Sequence, residues 1–301
     1  MSIVVVGTVA FDSIETPLGS TQGELGGSAS YFAVAASYFA PVKIVGVVGR
    51  DFPERYLDLF RQRRIDLAGL ERKSGATFHW RGRYHEDMNV RDTLELHLNV
   101  LADFNPQLPE SYRDAEYVFL GNIDPVMQLE VLSQLRGARF LACDTMDYWI
   151  QNSRKDLDRV LRKVETLVIN DSEAGLLSGE HNIVRAARAI LKLGPRFLLI
   201  KRGEYGVLAF SQSSIFATPA YPLEEVFDPT GAGDSFAGGF IGQLARSGDH
   251  SERGLRRAII YGSVVASFTV EDFGLRRLAA LTGADIEERF RRFVALTDFH
   301  T

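Results

Sequence analysis

Short apolar runs alternate along the chain with segments in which apolar residues recur at helical spacing. Buried strands are predicted where β-branched and other apolar residues stand together, over residues 3–6, 42–48, 117–120, 139–143, 166–169 and 197–200. Helices are predicted over residues 29–40, 53–64, 125–136, 154–164 and 183–193, with another directly after residues 170–173. A strand, a helix and a second strand in succession form a parallel pair with a right-handed crossover. The pattern therefore predicts an α/β domain with a mostly parallel central sheet.

Residues 77–98 follow a different pattern, in which apolar and polar residues alternate on both sides of a polar turn near residues 87–89. The apolar positions are Phe78, Trp80, Tyr84, Leu94, Leu96 and Leu98, and the polar ones include His79, Arg81, Arg83, His85, Glu95 and His97. A period of two predicts a β hairpin with one apolar face. The histidines and arginines could hold a metal or an anion, but a solvated outer face is favoured because no cluster here has the ligand count of a zinc site.

The C-terminal part of the chain predicts an antiparallel pair, over residues 206–210 and 215–218, and then three helices. These helices are expected over residues 235–246, 255–268 and 285–296. No internal repeat or low-complexity linker interrupts the chain. We therefore expect a single domain over residues 1–301, with a small β lid formed by about residues 12–25 and 76–100.

Composition and charge narrow the choice of partners. Apolar residues make up 46% and charged residues 24% of the 301 residues, which is typical of a globular protein. No stretch of about 18 apolar residues is present, so no membrane partner is expected. The net charge of −5, without an extended basic block, makes nucleic acid an unexpected partner as well.

The single cysteine and the N-terminal residues bear on the compartment. Cys143 cannot form an internal disulfide, and its apolar surroundings favour a small buried side chain over a nucleophile. The N-terminus enters a strand-like run directly, without the basic region and cleavage site of a secretory signal. We therefore expect a cytoplasmic protein.

Polar residues and glycines concentrate at the ends of the predicted strands. The strand ends supply Asp12, Gly121, Asn122, Asp144, residues 170–173, residues 201–203 and residues 228–234. Because ligands of open parallel sheets bind beyond the carboxyl ends of the strands, this set predicts a site for phosphate and hydroxyl groups. Some of these residues serve as turn formers in any case, since Asp, Asn and Gly are favoured in turns.

The stretch over residues 226–240, VFDPTGAGDSFAGGF, carries the most specific chemistry. Its small residues Gly231, Ala232 and Gly233 precede a predicted helix, whose unpaired N–H groups and dipole attract an anion such as phosphate. Asp234 stands in this anion site, where a carboxylate repels bound phosphate but can accept the proton of an attacking hydroxyl. The alternative is that Asp234 is an N-cap aspartate in a turn with a purely structural role. Neither a P-loop nor a dinucleotide fingerprint is present.

This run resembles, nearly position for position, the phosphate-binding signature of the ribokinase-like (PfkB) family of carbohydrate and nucleoside kinases. Residues 46–51, GVVGRD, are similar to another motif of that family, and the resemblance extends from Val4 to about Gly274. It implies a three-layer α/β/α fold with a β lid, and a phosphotransferase that uses ATP and Mg²⁺ to phosphorylate an alcohol group. It also implies Asp234 as the base, with the N–H groups of residues 231–233 stabilising the transferred phosphoryl group.

The resemblance assigns further roles on the acceptor side. Asp12 matches an aspartate that binds substrate hydroxyls, and Gly26 and Gly27 match a glycine pair that backs onto the sugar. Asp228 and Thr230 resemble positions whose backbone carbonyls hold a monovalent cation in some members, so K⁺ is a further candidate cofactor.

On the nucleotide side, Glu173 matches a glutamate that helps place Mg²⁺ through water, and Asn170 matches an asparagine near the nucleotide phosphates. Gly203 and Gly206 match a turn against the nucleotide. Lys201 is a candidate for added positive charge near the phosphates, with an ordinary solvated lysine as the alternative.

The departures from the family concern the acceptor. Tyr31 stands where sugar kinases of the family often have asparagine, and this change removes hydrogen bonds and adds a stacking face. Residues 144–146, DTM, replace the usual D-P-N. Ribose and fructose are therefore disfavoured, and a nucleoside, a polyol or an unusual sugar remains open.

The leading hypothesis is an ATP-dependent kinase for a sugar or related polyhydroxy compound, and the alternative is a nucleoside kinase of the same fold. A less favoured alternative is a non-catalytic module that binds a nucleotide or metabolite. A third alternative, a dinucleotide-dependent oxidoreductase, is supported only by the alternation of strands and helices. A homodimer that pairs through the β lid is a further expectation.

Overall fold

The computed structural model describes residues 1–298. The strands are β1 (Ile3–Val6), β2 (Ala10–Thr16), β3 (Gly19–Gly26), β4 (Val42–Val48), β5 (Asp66–Arg72), β6 (Phe78–Tyr84), β7 (Arg91–His97), β8 (Tyr117–Leu120), β9 (Phe140–Cys143), β10 (Thr166–Asn170), β11 (Phe197–Lys201), β12 (Val207–Phe210) and β13 (Ile215–Thr218). The helices are α1 (Ser28–Ala36), α2 (Glu54–Gln62), α3 (Pro125–Gln134), α4 (Asp147–Asn152), α5 (Arg154–Leu161), α6 (Asp171–Ser178), α7 (Ile183–Leu191), α8 (Ala232–Ser247), α9 (Glu252–Thr269), α10 (Arg276–Ala280) and α11 (Gly283–Thr297).

The central sheet has the strand order β13-β12-β11-β10-β9-β8-β1-β4-β5. The strands from β11 to β5 are parallel, and β12 and β13 form an antiparallel edge. The predicted α/β class with a mostly parallel sheet is therefore confirmed. The edge strand β5 was not among the predicted strands, and α4 and α10 were not among the predicted helices.

Alternating side chains of β1 show how the sheet separates two helical layers, because neighbouring residues of a strand point to opposite faces. Ile3 and Val5 belong to a core with α1, α8 and α9, whereas Val4 and Val6 belong to a core with α3, α5 and α7. All four side chains are buried. The result is the three-layer α/β/α arrangement that the resemblance implied.

A separate four-stranded sheet, in the order β3-β2-β6-β7, forms the lid. Residues 12–25, the first of the two segments expected in the lid, mostly belong to β2 and β3. The expectation of a buried apolar face holds only in part. Tyr84 of β6 is buried, but every residue of β7 is exposed, including Leu94 and Leu96. The lid packs on the main domain through a small cluster of Ile14, Tyr84 and Phe273.

Within residues 1–298, no helix combines the length and hydropathy needed to cross a membrane.

Candidate active site

Three adjacent parallel strands bring charged and polar side chains to one edge of the central sheet. Asp144 directly follows β9, Asn170 ends β10 and Lys201 ends β11. The N-terminus of α8 lies at the same edge, because a Cβ atom built on Gly233 would stand 2.7 Å from Nζ of Lys201. The strand ends that the sequence singled out therefore meet the residue 228–234 turn.

The turn before α8 has the backbone geometry of an anion site. Gly231 caps the helix with φ of 73°, a left-handed conformation that favours glycine, and α8 begins at Ala232. A Cβ atom on Gly231 would stand 2.3 Å from the ring of Tyr31, so the position also lacks room for a side chain. The helix starts three residues earlier than the predicted Ser235, which places Asp234 inside its first turn.

Asp234 is enclosed by protein while keeping partial solvent contact at the site. Burial and, after it, the nearby Asp144 carboxylate raise its pKa to about 7, against the opposing charges of Lys201 and Arg91. A carboxylate with a pKa near neutrality is a stronger base than an ordinary aspartate, which suits proton abstraction from a hydroxyl.

Lys201 is the cation nearest to this base in the strand-end set, and it is largely buried. Its Nζ lies 3.6 Å from Oδ2 of Asp144. Burial acts to lower the pKa of Lys201, but Asp144 and Glu173 together outweigh it and raise the pKa. The sequence left open the alternative that Lys201 is an ordinary solvated lysine. Its burial beside Asp144 excludes that alternative.

Asn170 and Glu173 form a reciprocal cap at the start of α6. Oδ1 of Asn170 accepts from the N–H of Glu173 at 2.8 Å, and Oε2 of Glu173 accepts from the N–H of Asn170 at 2.8 Å. Glu173 is buried, and burial together with the Asp144 charge raises its pKa to about 7. Crowded buried carboxylates of this kind are relieved by a bound cation, and oxygen donors are the ligands that Mg²⁺ prefers.

Asp12 is buried on β2 and lies against the predicted glycine pair. A Cβ atom on Gly26 would stand 1.9 Å from Oδ2 of Asp12, and one on Gly27 would stand 2.4 Å from the carbonyl oxygen of Thr8. Burial and, after it, the charge of Asp228 raise the pKa of Asp12 to about 7, while an N–H from Gly27 opposes the rise. The charge of Asp234 also acts on Asp12, so the two carboxylates share one region.

Asp228 is fully buried and holds the turn with its side chain. It accepts from the N–H of Thr230 at 2.8 Å and from the N–H of Gly274 at 2.9 Å. Thr230 in turn donates from its hydroxyl to the hydroxyl oxygen of Tyr84, at 3.1 Å. The turn is thus tied both to the C-terminal part of the domain and to the lid.

Tyr31 lies beneath the Gly231 turn rather than beside an open pocket. Its ring is 1% exposed, and its hydroxyl makes no hydrogen bond within residues 1–298. Burial raises its pKa well above the usual value, with contributions from Asp228 and Asp12. The stacking face that the sequence expected at Tyr31 is therefore covered by the turn, and the ring supports the turn from below.

Gly203 and Gly206 bracket a short 3₁₀ turn and both have positive φ, of 52° and 85°. A Cβ atom on Gly206 would stand 2.1 Å from the carbonyl oxygen of Thr218, and one on Gly203 would stand 2.1 Å from Oδ1 of Asn89. Asn89 belongs to the tip of the lid hairpin. The lid tip therefore reaches the turn that the sequence assigned to the nucleotide.

Two lid residues at this site were missed by the sequence reasoning. Arg91 begins β7, and its charge opposes the burial-driven rise in the pKa of Asp12, Asp144 and Asp234. Trp80 is the register partner of Asp12, so both side chains lie on the same face of the lid. No local motif marks either residue, because both reach the site only through the pairing of the lid strands.

Comparison with known proteins identifies the family. Residues 2–280 match the pfkB family carbohydrate kinase domain. The chain belongs to this family. It is therefore an ATP-dependent kinase that transfers a phosphoryl group to a hydroxyl acceptor, and the predicted family, fold and enzyme class are confirmed.

One curated relative and two solved structures illustrate the range within this PfkB fold. A cytidine kinase from Thermococcus kodakarensis is 34% identical over 251 residues, covering 82% of this chain and 89% of the relative. The crystal structure of the Methanocaldococcus jannaschii nucleoside kinase has a TM-score of 0.78 at 22% identity, covering 97% of this chain and 98% of that one. A structure described as a putative ribokinase II from E. coli in complex with ATP and Mg²⁺ has a TM-score of 0.78 at 19% identity, covering 97% and 99%.

Proposed function

We propose that this PfkB kinase phosphorylates a hydroxyl group of a nucleoside, with ATP as the donor. The cytidine kinase likeness, which spans most of both chains, supports a nucleoside acceptor over a free sugar. The observation that carries the proposal is the inner face of the lid. It carries an aromatic residue, Trp80, on the same face as Asp12, and a nucleoside needs both a surface for its base and a hydroxyl-binding group for its ribose.

Trp80 supplies that aromatic surface. Its indole lies across Gly82, since a Cβ atom there would stand 2.1 Å from Cη2 of Trp80. Its Nε1–H donates to the hydroxyl of Thr93 at 3.2 Å, which fixes the ring along the lid. A base that stacks on an aromatic ring gains about 1–3 kcal/mol. Asp12, the register partner of Trp80, then receives the ribose hydroxyls.

In the proposed reaction the acceptor hydroxyl attacks the γ-phosphorus of ATP while Asp234 takes the hydroxyl proton. The bond between the γ-phosphorus and the β,γ-bridging oxygen breaks, and ADP leaves with the electron pair. The N–H groups at the start of α8, in residues 231–233, face the charge on the transferred group. The lid excludes water, which is the competing acceptor.

The remaining candidate residues are assigned to the nucleotide half of the site. Asn170, Gly203 and Gly206 line the nucleotide, and Lys201 offsets the negative charge of the phosphates. Glu173 would help to place Mg²⁺, and its burial near the Asp144 carboxylate supports this role. When bound, Mg²⁺ neutralises phosphate charge. The backbone carbonyls of Asp228 and Thr230 are proposed to hold K⁺, so turnover is expected to rise when K⁺ replaces Na⁺.

The acceptor is tested by measuring ADP release with cytidine, uridine, inosine, ribose and fructose in the presence of Mg²⁺. Trp80→Ala is expected to raise the KM for nucleosides about 5- to 100-fold with little change in kcat, because stacking contributes to ground-state binding. Trp80→Phe is the matched control and retains most of the affinity. A wild-type enzyme that phosphorylates only ribose or fructose, or an Ala variant with an unchanged nucleoside KM, would contradict the assignment.

We also propose that the enzyme is cytoplasmic, and its single, buried cysteine, Cys143, supports this proposal.

A separate proposal is that two copies of the chain pair through their lids. Strand β7 is an edge of the lid sheet, and its Leu94 and Leu96 are 38% and 54% exposed. Light scattering after gel filtration is expected to give the mass of a dimer, and Leu94→Lys is expected to give a monomer. A monomeric wild-type enzyme would rule out this pairing.

A further inference from the structure

The outer face of the lid carries a cluster that is separate from the active site. His79 and His97 are direct register partners across β6 and β7, and Glu95 lies two residues before His97 on the same face. Because side chains alternate along a strand, His79 points away from the face that holds Trp80 and Asp12. The sequence pattern favoured a solvated face for the histidines. The pairing of β6 and β7 shows that Glu95 lies on the same face, next to them.

The three side chains offer ligand atoms at metal-binding separations. One atom from each of His79, Glu95 and His97 lies within 4.8 Å of the other two. Nε2 of His97 is 3.5 Å from Oε2 of Glu95, and the two imidazole rings are 6.0 Å apart at 23°. Ligands about 2.1 Å from one tetrahedral ion stand about 3.4 Å apart. The widest separation, within 4.8 Å, exceeds this by up to about 1.4 Å, which rotation of the exposed Glu95 and His97 side chains closes.

Neighbouring side chains hold the cluster in place. Arg81 donates to Oε1 of Glu95 at 2.8 Å and also pairs with Glu15 at 2.7 Å, so its charge is balanced and Oε2 of Glu95 stays turned toward His97. His79 contacts the hydroxyl of Ser13 through Nε2, at 3.1 Å.

We propose that His79, Glu95 and His97 form a binding site for Zn²⁺ on the outer face of the lid, with water completing the coordination. Two imidazoles and a carboxylate form a ligand set that zinc uses in proteins, whereas Mg²⁺ and Ca²⁺ prefer oxygen ligands alone. The ion joins β6 to the edge strand β7 at the end of the hairpin opposite its tip. Because it binds the folded lid only, Zn²⁺ stabilises the lid by mass action.

The test is a Zn²⁺ titration of the full chain in buffer without ATP or Mg²⁺, with binding followed by calorimetry. The wild-type protein is expected to bind one Zn²⁺ through this cluster. His97→Ala and His79→Ala are each expected to weaken the binding about 10- to 100-fold or more, since changing even an outer partner of a metal ligand costs that much. His97 is exposed, so its loss leaves the fold intact, as circular dichroism would verify.

Two control variants separate this site from other Zn²⁺ ligands. His85→Ala removes a histidine of the same hairpin that pairs with Asp92, outside the cluster, and Glu173→Gln alters the buried carboxylates of the active site. Both are expected to bind Zn²⁺ as the wild type does. The proposal is overturned if the wild type binds no Zn²⁺. It is equally overturned if binding survives both cluster variants or is lost in Glu173→Gln.

Discussion

Asp234→Asn is expected to lower kcat by about 10²- to 10⁴-fold, the range associated with a positioned general base. Asparagine has nearly the same shape as aspartate but does not accept the hydroxyl proton. The α8 N-terminus and its Gly231 cap are untouched by the change, so phosphate recognition persists. Removing a buried negative charge beside Asp144 also relieves repulsion, so the variant is expected to fold at least as stably as the wild type.

The measurement combines steady-state ADP release with calorimetric binding of a non-hydrolysable ATP analogue. Affinity for the analogue is expected to be unchanged or higher, because the anion site has lost a competing carboxylate. Asp171→Asn is the matched control, since Asp171 is an exposed carboxylate at the start of α6 with no role in the proposed reaction. Equal losses of activity in both variants would show that the effect is not specific to the base.

Lys201→Met is expected to destabilise the protein by about 3 kcal/mol, as is typical when one partner of a buried ion pair is removed. Asp144 would keep its buried charge without the Nζ partner that now lies 3.6 Å away. The pKa of Asp234 would rise further, because Lys201 is the main charge that lowers it. Less of the base would then be ionised at pH 7, so kcat is also expected to fall.

The double variant Lys201→Met with Asp144→Asn separates the structural role from the phosphate role. Asparagine removes the uncompensated charge, so the free energy of unfolding, measured with urea, is expected to recover most of the loss. Lys201→Met alone is expected to raise the KM for ATP, because it removes the cation that offsets the phosphate charge. The double variant is expected to keep this raised KM, because it still lacks that cation. A double variant with wild-type ATP affinity would show that Lys201 serves only the ion pair.

The sequence predicted those parts of the fold and site that depend on local pattern. The run of residues 226–240 identified Asp234 and the start of α8 to within three residues, because the small residues and the acidic side chain are contiguous. The helix start after residues 170–173 was predicted for the same reason, since the capping box of Asn170 and Glu173 lies within four residues, whereas the roles of these two residues in the site came from the family resemblance. Strand β5 was missed because it is an edge strand with few buried residues, so its alternation is weak.

The remaining site residues depend on tertiary pairing and had no local signal. The register of β2, β6 and β7 brings Arg91 near the active-site carboxylates and places Trp80 on the lid face that holds Asp12, and sequence periodicity alone does not set this register. Tyr31 was assigned a stacking role on its chemistry, but the packing of α1 under the Gly231 turn buries its ring. Glu95 joins the two histidines of the outer lid face only after the hairpin has formed.

The central claim is that Asp234 accepts the proton of the acceptor hydroxyl. It is tested most directly by the pH dependence of the single-turnover rate at saturating Mg²⁺, ATP and acceptor, compared between wild type and Asp234→Asn. Glu173 and Asp12 also have a pKa of about 7 in the free enzyme. Saturating Mg²⁺ and acceptor occupy the sites of these two carboxylates, so that the remaining pH dependence reports on Asp234. The account predicts a wild-type rate that rises with pH as Asp234 ionises and then levels off, and a low, pH-independent rate in the variant. The same rising limb in both enzymes would contradict it.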